Sequence, residues 1–239
     1  MVTLSVVVPV KDEAENVAAL AREIAAAVKA ESAEILFVDD GSTDGTAAVL
    51  ASLKPELPSL RVLQHDRNLG QSRAVRTGVL AAHGETIATV DGDGQNDPAD
   101  IPTLLGLLRA ANDPRLAMVA GVRVTRKDAS NRRFASGFAN RFRRALLNDR
   151  ATDSGCGLKV FRRDAFLALP YFDHMHRFLI ALMRREGYEV QEAPVNHRPR
   201  RHGQSKYGNF HRALVGFVDT FGVRWLQKRF GGPVQVKEI

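Results

Sequence analysis

Asp91-Gly92-Asp93 closes an apolar run, Thr86-Ile87-Ala88-Thr89-Val90. Two carboxylates at a strand end can hold a divalent cation. Magnesium and manganese usually reach a protein through one or two carboxylates plus the phosphates of a ligand. The pair therefore points to a substrate carrying a nucleotide diphosphate, although Asp-x-Asp also arises in ordinary polar turns. A second acidic strand end, Ile35-Leu36-Phe37-Val38-Asp39-Asp40-Gly41-Ser42, adds weight. In an open parallel sheet, ligands bind in the crevice beyond the carboxyl ends of the strands. Two acidic strand ends of one sheet would face the same crevice.

The elements that must position these residues alternate through the first half. Strand-like runs span Leu4–Val10, Glu34–Val38, Leu60–Gln64, Glu85–Val90 and Met118–Gly121. Between them, helical patterns cover Asn16–Lys29, about Thr43 to Leu53, Gln71–His83 and Ile101–Ala111. This βαβα order predicts an α/β fold with a mostly parallel sheet, helices on both faces and right-handed crossovers. A chain of 239 residues suits one large domain, alone or extended, and 44% hydrophobic content is ample for a core. The single cysteine, Cys156, excludes an internal disulfide framework and fits a reducing compartment. It is expected to be a small packed residue, since no motif pairs it with a base. Lys11, Asp12 and Glu13 interrupt the early apolar run, which argues against a signal peptide. No run reaches the roughly 18 apolar residues of a membrane span. A soluble or peripheral protein is expected.

Charge is divided unevenly. Residues 1–121 hold 10 Lys and Arg against 17 Asp and Glu, a net of −7; residues 122–239 hold 24 against 10, a net of +14. Such asymmetry points to a polyanionic partner, nucleic acid or an anionic membrane surface. Arg132–Leu147 reads as a helix with Phe134, Phe138, Phe142 and Leu146 along one face and arginines on the others. Asn209–Phe230 places Phe210, Leu214, Phe217, Phe221 and Trp225 near one stripe, flanked by Arg212, Arg224, Lys228 and Arg229. Basic amphipathic helices of this kind lie on membrane surfaces, and the same pattern suits core-packing helices with solvated arginines. No zinc, RNP or recognition-helix motif supports a nucleic-acid-binding module, the alternative from another class.

Five blocks together carry a family resemblance: Val6-Val7-Val8-Pro9-Val10-Lys11-Asp12-Glu13; Val38-Asp39-Asp40-Gly41-Ser42-Thr43-Asp44-Gly45; Asn68-Leu69-Gly70-Gln71; Asp91-Gly92-Asp93-Gly94-Gln95-Asn96-Asp97-Pro98; and Gly203-Gln204-Ser205-Lys206-Tyr207. The chain resembles family-2 glycosyltransferases of the GT-A fold. Within them it is similar to the dolichol-phosphate mannose synthases and their bacterial polyprenyl-phosphate relatives. The resemblance runs from about residue 3 to 230. It implies a GT-A domain over 1–208, with a nucleotide-sugar part (1–121) and an acceptor part (122–208), followed by an amphipathic helix and tail (209–239).

The resemblance also implies roles. Pro9, Lys11, Glu13, Val38, Asp40, Gly92 and Arg123 would lie along the nucleotide sugar, with Asp40 reading the base and Arg123 near the diphosphate. An aromatic residue stands at Lys11 in eukaryotic-type relatives. Asp91 and Asp93, with Gln95, would hold Mg²⁺ or Mn²⁺. Gly92 replaces a more common alanine, a change expected to be minor. Arg200, Ser205 and Lys206 would meet the donor and acceptor phosphates, and Asp153 and Lys159 belong to an acceptor-side loop. The implied enzyme is a metal-dependent, inverting hexosyltransferase using a UDP- or GDP-sugar and a polyprenyl phosphate. It would sit peripherally on the inner face of the cytoplasmic membrane, with a membrane-protein partner possible. A phosphate monoester with a second pKa of about 6 is mostly dianionic at neutral pH and needs no strong base. A soluble or polysaccharide hydroxyl acceptor, the alternative in the same class, would need one, and Asp153 would be the first candidate.

Overall fold

A computed structural model describes residues 1–124, 143–199, 209–232 and 237, with the backbone alone for 209–214. Seven strands form one sheet in the order β3-β2-β1-β4-β6-β5-β7. They are β1 (Leu4–Val10), β2 (Ala33–Asp39), β3 (Leu60–Gln64), β4 (Thr86–Thr89), β5 (Leu116–Arg123), β6 (Lys159–Arg162) and β7 (Glu189–Val195). β1 to β4 pair in parallel, and β5 pairs in parallel with β7. β6 alone runs antiparallel, between β4 and β5. The expected mostly parallel α/β sheet is therefore present. The second half adds β6 and β7, which the sequence reading had not assigned.

Strand alternation divides the core between two faces. On one face Leu4, Val6, Val8, Ile35, Phe37, Ala88, Val119 and Val160 pack beneath α1 (Ala14–Ala27), α2 (Thr46–Ser52) and α4 (Ile101–Ala110). On the other, Val7, Ile87, Met118 and Phe161 meet α3 (Gln71–Ala81), α5 (Arg163–Leu167) and α6 (Leu179–Arg185). Gly78 of α3 is required there, because a Cβ would stand 2.4 Å from Val7 Cγ1. Loops at the carboxyl ends of β1 and β2 are tied together. Asp44 accepts from the Ala14 and Thr46 amides and Thr46 Oγ1 accepts from the Glu13 amide, so one loop satisfies the free amides opening two helices.

Helix α7 (Asn209–Arg229) docks on the second face. Thr220 and Val223 are buried against it. Gln227 donates to the Leu147 carbonyl at 2.9 Å, and Arg185 Nε donates to the Leu226 carbonyl at 3.1 Å. The opposite side of α7 leaves Phe217 50%, Phe221 48% and Trp225 57% exposed. The expected aromatic stripe is thus outward over these three residues. Phe210, Leu214 and Arg212 have no described side chains. Of the expected helix 132–147, residues 143–147 are helical; Phe134, Phe138 and Phe142 lie outside the described residues.

Candidate active site

β1 pairs with β2 on one side and β4 on the other, so the connections out of β1 and into β4 diverge. This is a topological switch point, where an open α/β sheet leaves a crevice at the strand carboxyl ends. Pro9, Lys11, Asp40 and Asp91 all come from that edge. Gly92 lets the β4 end close on β1. A Cβ there would stand 2.5 Å from Val10 Cγ1 and 2.9 Å from the Pro9 carbonyl. In this chain the change from alanine to glycine is therefore a packing requirement, not a minor one.

Asp91 forms the floor. It keeps a small exposed surface, its amide donates to Asn96 Oδ1 at 2.9 Å, and its Oδ1 accepts from Gln71 Nε2 at 2.8 Å. Gly157 lies against it, so closely that a Cβ would fall 2.1 Å from Oδ2. Burial, and then the neighbouring charge of Asp93, push the Asp91 carboxyl up to about 6, against the pull of Lys159, Arg123 and the Gln71 bond. Asp93 Oδ1 accepts from the Gln95 amide at 3.1 Å. Lys159 is buried and donates to the Cys156 carbonyl; burial lowers its pKa, opposed by Cys156, Asp91 and Asp153.

The loop that carries Asp153 is anchored to the end of β5. Arg123 donates to both oxygens of Asp153, at 2.7 and 2.8 Å, and this bond raises the guanidinium pKa further. Arg123 thus faces Asp153 in a bidentate pair. Cys156 is buried and burial raises its thiol pKa, as expected of a packed, unreactive cysteine.

At the carboxyl ends of β1 and β2, Lys11 Nζ donates to the Gly41 carbonyl at 2.8 Å and lies 3.3 Å from Asp12. Glu13 accepts from Asn16 Nδ2 at 2.7 Å. Val38 is buried within β2, and Pro9 is its partner across the sheet. Both oxygens of Asp40 accept 2.8 Å bonds, Oδ1 from the Leu69 amide and Oδ2 from the Gly70 amide, and His65 Nδ1 sits 2.8 Å from Oδ1. Asp40 therefore fixes the Asn68-Leu69-Gly70 turn that launches α3 and aims Gln71 at Asp91.

The third wall comes from the segment after β7. Asn96 bridges His197, and Arg198 donates its amide to the Gln95 carbonyl at 2.9 Å. The Gln95 side-chain nitrogen is 3.5 Å from the Arg198 carbonyl. The Arg198 guanidinium donates to Glu23 and Asp97, both at 2.6 Å. This clamp holds the chain beside Asp93 just before residue 200. Arg200, Ser205 and Lys206 themselves lie outside the described residues. Sequence reasoning gave no role to Gln71, Gly157 or Arg198. Gln71 and Gly157 stood inside recognised blocks, which was the available signal; Arg198 acquires its position through contacts across the fold.

The chain is similar to known proteins. The profile of Glycosyl transferase family 2 matches residues 5–169. Dodecaprenyl-phosphate galacturonate synthase of Rhizobium johnstonii is 36% identical over 236 residues, 96% of this chain and 69% of that protein. Undecaprenyl-phosphate 4-deoxy-4-formamido-L-arabinose transferase of Enterobacter sp. is 34% identical over 241 residues, 98% and 72% of the two chains. The crystal structure of Mycobacterium tuberculosis glucosyl-3-phosphoglycerate synthase, in complex with Mn²⁺, UDP and glucosyl-3-phosphoglycerate, superposes with a TM-score of 0.71 at 17% identity, covering 98% of this chain and 81% of that one. The fold is the expected GT-A arrangement, and the chain belongs to glycosyltransferase family 2.

Proposed function

We propose that the protein transfers a sugar from a nucleotide-diphosphate sugar to a polyprenyl phosphate, with inversion at C1. The observation that carries this reading is the Asp91-Gly92-Asp93 floor at the switch point, in a chain whose relatives are named for polyprenyl-phosphate sugar transfer over nearly its full length. The donor set fits a hard divalent cation: two neighbouring carboxylates, one of them with its pKa raised by burial and by the other. Asp91 and Asp93 would hold Mg²⁺ or Mn²⁺, with Gln95 close by, and the ion would supply Lewis-acid stabilisation to the leaving diphosphate. Among the described residues no group of three or more His, Cys, Asp or Glu could hold a metal ion by itself.

The chain's own residues then align the reactants. Pro9, Lys11, Glu13, Val38, Asp40 and Gly92 line or shape the nucleotide side. Arg123, Asp153 and Lys159 hold the acceptor loop. Arg200, Ser205 and Lys206 would meet the phosphates, guanidinium as a fork and ammonium as a point charge. A dianionic acceptor attacks C1 without a strong general base, so alignment and charge stabilisation carry the rate. The bidentate Arg123–Asp153 pair favours this over a hydroxyl acceptor, since it holds Asp153 as an ion-pair partner and not as a poised base.

No helix among the described residues is long and apolar enough to cross a membrane. Membrane contact would come from the outward Phe217, Phe221 and Trp225 with Lys228 and Arg229 beside them, also exposed. A panel of UDP- and GDP-sugars with undecaprenyl phosphate and Mn²⁺ or Mg²⁺ tests the reading. Formation of a lipid-linked sugar from one donor, abolished by EDTA, is expected. Transfer to a soluble hydroxyl acceptor with none to the lipid would overturn it.

A further inference from the structure

Beside α7, a cleft of about 270 Å³ is lined by Leu147, Asn148, Arg184, Arg185, Arg224 and Gln227. It lies away from the crevice. Arg184 Nη2 donates to the Val190 carbonyl at 3.4 Å, near the end of β7 opposite to Val195, which pairs with Arg123 at the crevice. Three guanidinium groups thus border one concavity. Arg185 is offset by Glu186, to which it donates, and stacks 4.5 Å above the Phe230 ring that completes the wall. Asp149, the one acid in the described lining, accepts from Arg143. Arg184 and Arg224 have no acidic partner of this kind among the described residues.

Cations in the last turn of α6 suit the helix dipole. That does not account for Arg184 Nη1, which is buried with no hydrogen-bond acceptor among the described residues. A buried charged donor without an acceptor is costly. Planar guanidinium forks match phosphate oxygens, and the cleft has room for such an anion together with water. Arg224 also precedes Trp225 of the outward aromatic stripe, at the border between the docked and exposed sides of α7.

We propose that this cleft binds a phosphate group, that of an anionic lipid headgroup, at a site separate from the catalytic crevice. The lipid source rests on the membrane reading of α7; the phosphate chemistry rests on the arginines. Insertion of the aromatic stripe would bring the cleft to headgroup level, so that a bound phosphate would fix how the catalytic body sits on the bilayer.

Trp225 is the single tryptophan, so its emission reports on this face alone. Wild type, Arg184→Gln/Arg224→Gln and a charge-matched control altered at exposed lysines elsewhere, Lys29→Gln/Lys54→Gln, would be titrated with phosphatidylglycerol and phosphatidylcholine vesicles. Wild type and control should bind phosphatidylglycerol alike. The arginine variant should bind roughly tenfold more weakly or worse, each lost cation contributing a few-fold. Arg224→Gln alone, at a part-exposed position, covers the case in which the double variant does not fold, and should show part of the loss. Inorganic phosphate, titrated calorimetrically into wild type and added as competitor, separates the sources. Binding with competition means that the phosphate group alone is recognised, whereas vesicle binding without competition means that the headgroup is needed. If both arginine variants bind vesicles like the control, the cleft proposal falls while the membrane reading of α7 stands. If wild type responds to neither vesicles nor phosphate, both fall.

Discussion

Two enclosed carboxylates sit at opposite ends of the same sheet and are treated in opposite ways. Glu34, near the amino end of β2, is 4% exposed. It accepts from Ser5 Oγ and the His83 amide at 2.6 Å each and from Arg61 at 2.5 Å. Burial alone would raise its pKa, but these donors together bring it below the usual range. Asp91, beyond the carboxyl end of β4, has one side-chain donor, Gln71, and Asp93 beside it, and its pKa goes up to about 6. Among the described residues the fold completes the shell of Glu34 and leaves that of Asp91 short of positive charge. A carboxylate satisfied by its own chain is architecture; one left short, in a crevice at a switch point, is a place for a ligand's charge.

The largest effect should come from removing charge at the crevice end. Asp93→Asn should lower transfer on the order of 10²-fold or more, as expected if several kcal/mol of leaving-group stabilisation is lost. Full activity of this variant, or of wild type in EDTA, would break the comparison. Lys206→Ala should cut turnover by roughly tenfold or more through the loss of one phosphate contact, with the melting midpoint within a few degrees, as for a surface change of about 0.5 kcal/mol. A collapse in stability with retained specific activity would assign Lys206 to the fold instead.

Stability separates the two ends by sign. The lowered pKa of Glu34 contributes stability above the unfolded carboxyl pKa of about 4.3, lost as pH falls through its lower folded value. Glu34→Gln should therefore cost about 1–3 kcal/mol at neutral pH, less in acid, with specific activity unchanged. Asp91 works the other way. Its raised pKa contributes stability below about pH 4, lost as pH rises through about 6. Metal-free Asp91→Asn should accordingly be more stable than wild type at pH 7.5, on the order of 1–3 kcal/mol. Equal denaturation midpoints at that pH would mean that Asp91 carries no such strain. The smallest effect is expected from Gln71→Ala, a few-fold in turnover, since one net hydrogen bond of about 1 kcal/mol aims the carboxylate. No change would remove Gln71 from the site.

The parallel half of the fold was legible because its strands are β-branched runs punctuated by helical periods. Leu4–Val10 and Leu60–Gln64 are strands with the expected bounds. β6 is a four-residue strand with a cation at each end, too short to announce itself. β7 is an edge strand carrying Pro194, which sequence rules demote, although an edge tolerates proline. In the site, Asp91 and Asp93 were legible as a pair at a strand end. Their surroundings were not. Gln71 reaches Asp91 because Asp40 folds the preceding turn, Gly157 matters because a Cβ would strike Asp91, and Arg198 clamps segments 175 and 101 residues apart from it. Such roles arise from contacts across the sheet, which a block of sequence can mark without showing what its residues touch.

The most direct test is calorimetric titration of Mn²⁺ into the protein with a UDP- or GDP-sugar present, whose doubly esterified diphosphate has no proton to lose near pH 6, at pH 5 and pH 7.5, for wild type and Asp91→Asn. Because a cation should displace the proton that Asp91 holds below about pH 6, wild type should bind more tightly at pH 7.5, with proton release seen near pH 6. Asp91→Asn should lose that pH dependence and most of the affinity. Equal affinity of the two proteins at both pH values would contradict the account.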